Sequence, residues 1–274
     1  MLTKNVQTVI TDAVRVKPRT VQEVSQLIDK NWRTADRYVQ QIAEQTGLIA
    51  VRTFREGSQG ALKIVYWNAL DRAKGTAYQE RLLEKIESGR KKEDFSAFDI
   101  YQFVPENNRQ AVVEKTEFST EKSMRYDELL GNTKQQLLLF SGNLSWMELG
   151  QNMTKTMEAL AKKNVSIKVL TRVDLTSKKN TEAALAINQR AGWDAVEIRH
   201  CEQPLRAAIM DDQLASMKEV LSPQHIRELK EKLFVYYRIS DPDWVLWLQK
   251  VFWHLWQQSI DAKTRLDSLK TLQS

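Results

Sequence analysis

The stretch "HCEQPLRAAIMDD", residues 200–212, brings together an imidazole, a thiol, a guanidinium and three carboxylates, two of them the closing aspartates. These are the side chains that phosphoryl chemistry uses: a histidine nucleophile or base, a cation on the phosphate oxygens, an acid to orient either. The question is whether the stretch is a working hydrolytic site or the remains of one. Little else in the chain competes with it. His225 and His254 lie far along the sequence in segments of helical pattern, and three isolated histidines read as surface or core residues. No Gly-x-Ser-x-Gly, phosphate-binding glycine loop or dinucleotide fingerprint occurs, and the Ser-Gly-Asn turn at 141–143 is too short to serve as one. Cys201 is the single cysteine, which excludes an intrachain disulfide and a cysteine zinc site and fits a reducing cytosol. The expectation is no cofactor and no metal.

The stretch must be positioned by the elements around it. "QQLLLFSGNLSW" reads as a buried strand and turn, and "MELGQNMTKTMEALAKKN" as a helix with Met153, Met157, Leu160 and Ala161 inward. "VSIKVLTRVD", "TEAALAINQRAGWD" and "AVEIRH" continue as strand, helix, strand. That alternation implies a largely parallel sheet covered by helices. "LRAAIMDD" and "LASMKEV" add two strands with a turn at Asp211 and Asp212, and "KLFVYYRIS" adds another.

This order resembles one half of a phospholipase D-type domain. In that superfamily a late strand pair carries His-x-Lys, four residues, then Asp; the histidine attacks phosphorus and the lysine neutralises its oxygens. On this chain Asp211 falls at the aspartate, Arg206 at the lysine, and Pro204 at the histidine, while His200 comes four residues too early. A pyrrolidine ring is no nucleophile, so the resemblance implies a catalytic motif without its catalyst. Arg206, with Arg172 after the second strand and Asn143 after the first, is then a candidate anion or effector pocket, because open α/β sheets bind ligands beyond the strand carboxyl ends. The plainer alternative for Arg206 is a structural ion pair with Asp211 or another acid.

The N-terminal third has a different pattern. A helix over about residues 6–14 precedes Thr20 and Glu23, which have capping-box spacing; Val21, Val24, Leu27 and Ile28 follow at helical period. Asn31 caps a third helix with an Ala35, Val39, Ile42, Ala43 stripe, stopped at Gly47. "LIAVRTF" and "LKIVYW" then form a hairpin around "REGSQGA". Three helices and a hairpin predict an α+β winged helix-turn-helix over residues 1–68. Its third helix would enter the major groove. Trp32, Arg33, Thr34, Arg37 and Gln41 are candidate DNA-contacting residues on that helix, and Arg52, Arg55 and Lys63 on the wing.

Residues 69–133 read as a helical connector or dimerisation segment: a narrow stripe of Tyr78, Leu82 or Leu83, and Ile86, a basic run at Arg90, Lys91 and Lys92 read as a solvated face, an extended piece at 98–108, and a further helix up to Gly131. Residues 134–274 form the α/β phospholipase D-like domain. It ends in a Trp-rich helix capped by Asp241 with Pro242 at its first position, apolar on nearly every face except Lys250, His254 and Gln257. Such a helix must be buried, in its own domain or between subunits. Together, "LLLFSGNLSW", "VLTRVD" and "RHCEQPLRAAIMDD" behind a winged helix resemble archaeal TrmB-like transcriptional regulators.

The resemblance implies a non-catalytic DNA-binding regulator, generally a homodimer, with an effector or dimerisation domain. The net charge of +6 is compatible with that partner without requiring it. No apolar signal core opens the chain and no run approaches the roughly 18 apolar residues of a membrane span; the expectation is a cytoplasmic protein with double-stranded DNA as partner, a small anionic effector as a further ligand and no membrane. The rival readings are a phosphodiesterase or nuclease targeted by the winged helix, which Pro204 opposes, and a protein-interaction scaffold in a transcription or repair complex.

Overall fold

The computed structural model describes residues 2–16, 19–55, 61–67, 77–115, 126–149, 151–224 and 230–271. The chain divides into two compact units, Met1–Lys74 and Gly75–Ser274.

In the first unit, α1 (Lys4–Val16) leads through the two-residue strand β1 (Arg19–Thr20) into α2 (Val21–Leu27) and α3 (Trp32–Thr46), followed by β2 (Ile49–Arg55) and β3 (Ala61–Trp67). The residues between the last two strands lie outside the described part of the chain. The capping box forms as its spacing requires. Thr20 Oγ1 accepts from the Glu23 amide at 3.1 Å, and the Glu23 carboxylate accepts from the Thr20 amide at 2.7 Å. Asp29, at φ 50°, makes the left-handed turn between α2 and α3; Asn31 Oδ1 accepts from the Thr34 amide at 2.9 Å to start α3, and Gly47 ends it at φ 62°. Val21, Val24, Ala35, Val39 and Ile42 pack with Ile10 and Val14 of α1 and Val65 of β3 in one apolar core. The sheet is antiparallel in the order β1-β3-β2.

The second unit is mixed α/β. Its elements run α4 (Ala77–Ser88), α5 (Phe98–Tyr101), β4 (Arg109–Glu114), α6 (Tyr126–Gly131), β5 (Gln136–Phe140), α7 (Trp146–Leu149), α8 (Gln151–Lys162), β6 (Ser166–Thr171), α9 (Lys178–Ala191), β7 (Val196–His200), β8 (Ala207–Met210), β9 (Leu214–Leu221), β10 (Leu233–Ile239), α10 (Pro242–Gln258), β11 (Ile260–Asp261) and α11 (Ala262–Thr271). One eight-stranded sheet has the order β11-β7-β6-β5-β8-β9-β10-β4. The β5-β6-β7 pairs are parallel, joined by helical crossovers, and every other pair is antiparallel.

Met153, Met157, Leu160 and Ala161 of α8 pack with Ala184 and Ile187 of α9, Leu266 of α11 and the Leu137, Ile167 and Val169 face of the sheet. The opposite face is covered by α10. Its Trp244, Val245, Trp247, Leu248, Val251, Phe252, Trp253, Leu255 and Trp256 are all buried, and Phe252 meets Phe140 of β5 edge-on with ring centroids 5.2 Å apart. The Trp-rich helix is therefore absorbed by its own unit and needs no second subunit to hide it. His254 Nε2 bonds the Glu87 carboxylate at 2.6 Å and ties α10 to α4. Among the described residues no helix is long and apolar enough to cross a membrane.

The middle of the chain departs from its sequence pattern. Residues 98–108, expected to be extended, hold the short helix α5 and a 3-10 turn at Glu106–Asn108. Residues 109–114, expected to be helical, are strand β4, an edge strand paired along its length with β10. "RQAVVE" is too short to declare a period, and Val112 and Val113 are β-branched; pairing with an available strand edge outweighs weak local preference.

Candidate functional site

Two surfaces carry the residues singled out by the sequence. On α3, burial of Ala35, Tyr38, Val39 and Ile42 fixes the helix rotation and leaves Trp32, Arg33 and Arg37 exposed, with Thr34 and Gln41 half-buried beside them. Arg33 and Arg37 stand one turn apart, and the Arg37 guanidinium lies 5.5 Å from the Tyr38 ring centroid. Lys63, expected to reach outward from the wing, is held against α3 instead. Its ammonium bonds both Asp36 carboxylate oxygens, at 2.8 and 2.7 Å, and sits 5.4 Å from the Trp32 ring centroid. It braces the helix that carries the two arginines. Arg52 and Arg55 belong to β2, but their side chains lie outside the described residues.

The second surface is a cleft of about 490 Å³ in the second unit. Topology builds it. Parallel strands β5, β6 and β7 end side by side, at Phe140, Thr171 and His200, so the residues just beyond them share one rim: Ser141 to Asn143, Arg172, and Cys201 to Gln203. The antiparallel strands β8 and β10 begin on the same rim, which brings in Arg206 and Lys232. Asn143, Arg172 and Arg206, three residues up to 63 positions apart by their sequence numbers, thus line one cleft. The segment after α4 adds Arg90, Lys91 and Lys92, so the basic run is exposed, as expected, and also lines this cleft; Lys218 of β9 completes the lining. Among the described lining residues these seven are basic, against two acids, Glu93 and Glu202.

The Arg206 guanidinium is largely buried. It donates to the Leu205 carbonyl at 2.7 Å and the Gln203 carbonyl at 3.4 Å, and no carboxylate among the described residues pairs with it. Burial pushes its pKa down to about 10, with the Arg172 charge adding to the effect and Glu93 opposing it. Gly142 lies flat against it: a Cβ there would come within 2.5 Å of Nη2 and 2.8 Å of Cζ. Only a residue without a side chain permits that approach. Arg172 is ion-paired through Nε with Asp174 at 2.7 Å, though the angle is too poor for a hydrogen bond. Asn143 Oδ1 accepts from the Ser145 amide at 3.2 Å and shapes the turn.

Asp211 does not pair with Arg206. It sits past the opposite end of β8, at φ 53°, and its carboxylate accepts from the amides of Lys134, Gln135 and Gln136 at 3.0, 2.8 and 3.0 Å. It locks the start of β5. Pro204 is buried under the chain that follows α4; a Cβ on Gly89 would come within 2.8 Å of its Cγ. His200 Nδ1 accepts from the Val173 amide at 2.9 Å, which leaves the proton on Nε2, and burial lowers its pKa. It lines a separate depression with Glu87, Gln258 and Ile260. Burial pushes the Cys201 thiol up to about 11, so it stays protonated.

The sequence reading missed Lys218, Lys232 and the rim role of the 90–92 run. The signal was there for the last: three consecutive cations after a helix stop. For the lysines, position at a strand end carries no signal until the sheet order is known.

No protein-family model and no curated protein matches the chain. Among solved structures, the phospholipase D family member Nuc from Salmonella typhimurium aligns with a TM-score of 0.42 at 14% identity, covering 56% of this chain and 97% of its own. NucT from Helicobacter pylori gives 0.41 at 7% identity, covering 56% and 99%. TrmBL2, an archaeal chromatin protein whose structure shows a novel mode of DNA binding, gives 0.39 at 14% identity, covering 94% of each chain.

Proposed function

We propose that the chain is a non-catalytic, DNA-binding transcriptional regulator, and that its first unit is a winged helix-turn-helix. The carrying observation is the exposed N-terminal half of α3, where Arg33 and Arg37 project from a helix whose other side is locked in the core. A recognition helix needs that arrangement: a rigid mount, cations near its N-terminus, and, among the described residues, no competing ion pair on them. Lys63 contributes by fixing Asp36, whose negative charge would otherwise face the phosphates beside the arginines. A homodimer reading a palindromic operator in the cytoplasm completes the reading, because two-fold symmetry matches repeated half-sites.

The test is fluorescence anisotropy with the full chain on duplexes selected from the source genome by the protein itself. Arg33→Ala/Arg37→Ala is expected to weaken binding by about 2–6 kcal/mol if both read bases, at roughly 1–3 kcal/mol each. If they neutralise phosphates instead, the slope of log affinity against log salt falls by about 0.9 per contact. Unchanged affinity and slope reject α3 as the reading element.

A phosphodiesterase is the second reading, favoured by the cationic rim of the cleft. Against it stand the buried Pro204, a protonated Cys201 and a His200 held by a backbone amide outside the cleft. Turnover of a phosphodiester by the wild-type chain that is lost in His200→Asn would reverse the choice.

A further inference from the structure

We infer that the cleft at the strand ends of the second unit binds a small phosphate monoester that carries free hydroxyls, such as a sugar phosphate. This goes beyond the DNA-binding reading and does not rest on it.

Four observations converge. The first is the charge of Arg206, which pairs with no carboxylate among the described residues. A buried guanidinium that bonds only carbonyl oxygens lacks the counter-ion that buried charges ordinarily have, and a bound anion supplies it. The second is the surplus of basic over acidic residues among the described residues of the rim, which suits a dianion better than a monocarboxylate. Arg172 leaves its terminal nitrogens without a partner among the described residues, since its ion pair to Asp174 is made through Nε. The third is Gln203, which is 2% exposed and lines the same cleft. Its Nε2 donates to the Ser141 carbonyl at 3.0 Å, so its amide orientation is fixed; its Oε1 is buried with no partner among the described residues. An unprotonated phosphate oxygen cannot satisfy that acceptor, whereas a sugar hydroxyl can. The fourth is size. About 490 Å³ holds a pentose or hexose phosphate and lies within the ordinary range of small-molecule sites.

The arrangement assigns roles. Arg206 and Arg172 take the phosphate, Lys232 on the exposed rim adds long-range attraction, and Gln203 reads a hydroxyl. Binding involves no bond making or breaking.

Ribose 5-phosphate is the probe, titrated into the full chain by calorimetry and thermal shift, with ribose and inorganic phosphate as controls. The expected result is a thermal upshift and saturable binding of ribose 5-phosphate, weaker binding of inorganic phosphate, and none of ribose. Arg206→Gln should cost about tenfold or more in affinity and Arg172→Gln a similar factor. Lys232→Gln, on an exposed residue whose loss leaves packing intact, should cost less and make binding less salt-sensitive. Should Arg206→Gln fold poorly, the other two variants decide. Arg33→Ala/Arg37→Ala should bind ribose 5-phosphate like wild type, so failure here and failure of DNA binding are separately readable. Absence of binding by wild type at millimolar ribose 5-phosphate overturns the inference. So does binding indifferent to Arg172→Gln and Lys232→Gln, or equal affinity for inorganic phosphate and ribose 5-phosphate. A short single-stranded oligonucleotide that binds with loss in all three variants, where ribose 5-phosphate does not, overturns it in favour of nucleic acid.

Discussion

Replacing Arg206 by methionine should stabilise the protein while destroying the cleft's affinity for anions. Methionine keeps the length of the side chain and removes the charge. The magnitude follows from the pKa, which falls from the ordinary arginine value to about 10 on folding, chiefly through burial. At 1.36 kcal/mol per unit, holding that guanidinium charged costs the folded state about 3 kcal/mol. The sign is fixed by linkage: the folded pKa lies below the unfolded one, so the penalty is fully present below about pH 10 and is relieved only as pH rises from there towards the ordinary arginine value. Methionine also forfeits the charge-assisted bond to the Leu205 carbonyl at 2.7 Å and the longer one to the Gln203 carbonyl at 3.4 Å, worth about 2 kcal/mol together once water is counted. The net expectation is about 1 kcal/mol of added stability, or a rise of roughly 2–4 °C in the melting temperature of a unit this size. Urea unfolding followed by tryptophan fluorescence reads it, since six of the eight tryptophans lie in the second unit. In millimolar ribose 5-phosphate the wild type should recover part of the gap and the variant should not respond. A variant that unfolds at or below the wild-type urea midpoint would refute the argument, because it would mean that Arg206 contributes net stability without a ligand.

Two further outcomes test the scaffold. Asp211→Ala removes the acceptor for three backbone amides and places alanine at a positive φ, so it should destabilise the second unit by about 2–4 kcal/mol; chemical denaturation reads this, and a loss under 1 kcal/mol would contradict the locking role. His200 has its pKa lowered from 6.5 by burial, so the unfolded chain takes up its proton first; stability should fall as pH drops below about 6.5. His200→Asn, which keeps an acceptor for the Val173 amide, should flatten that part of the pH profile of the melting temperature, and an unaltered profile would remove His200 as its source.

Sequence alone determined the local devices. The capping box at Thr20 and Glu23, the Asn31 and Asp241 caps, the Gly47 stop and the inward faces of α3 and α8 all form as their spacing requires, because each depends on residues within about one helical turn. That the core strands run parallel was legible too, because buried apolar runs alternate with amphipathic helices. What sequence could not decide was any feature set by distant neighbours. β4 is a strand because β10 offers it an edge, across more than a hundred residues, while its own six residues have no decisive period. Lys63 turns inward because Asp36 and Trp32 wait on a helix 27 positions away. Asp211 serves β5 rather than Arg206, and only the register of β5 against β8 separates the two. The cleft was half visible. Asn143, Arg172 and Arg206 could be named from strand ends, but the cations at 90–92, 218 and 232 join them only once the sheet is assembled. Electrostatic sites are sums over space, and the chain order carries no record of which charges will share a rim until the tertiary fold sets the distances.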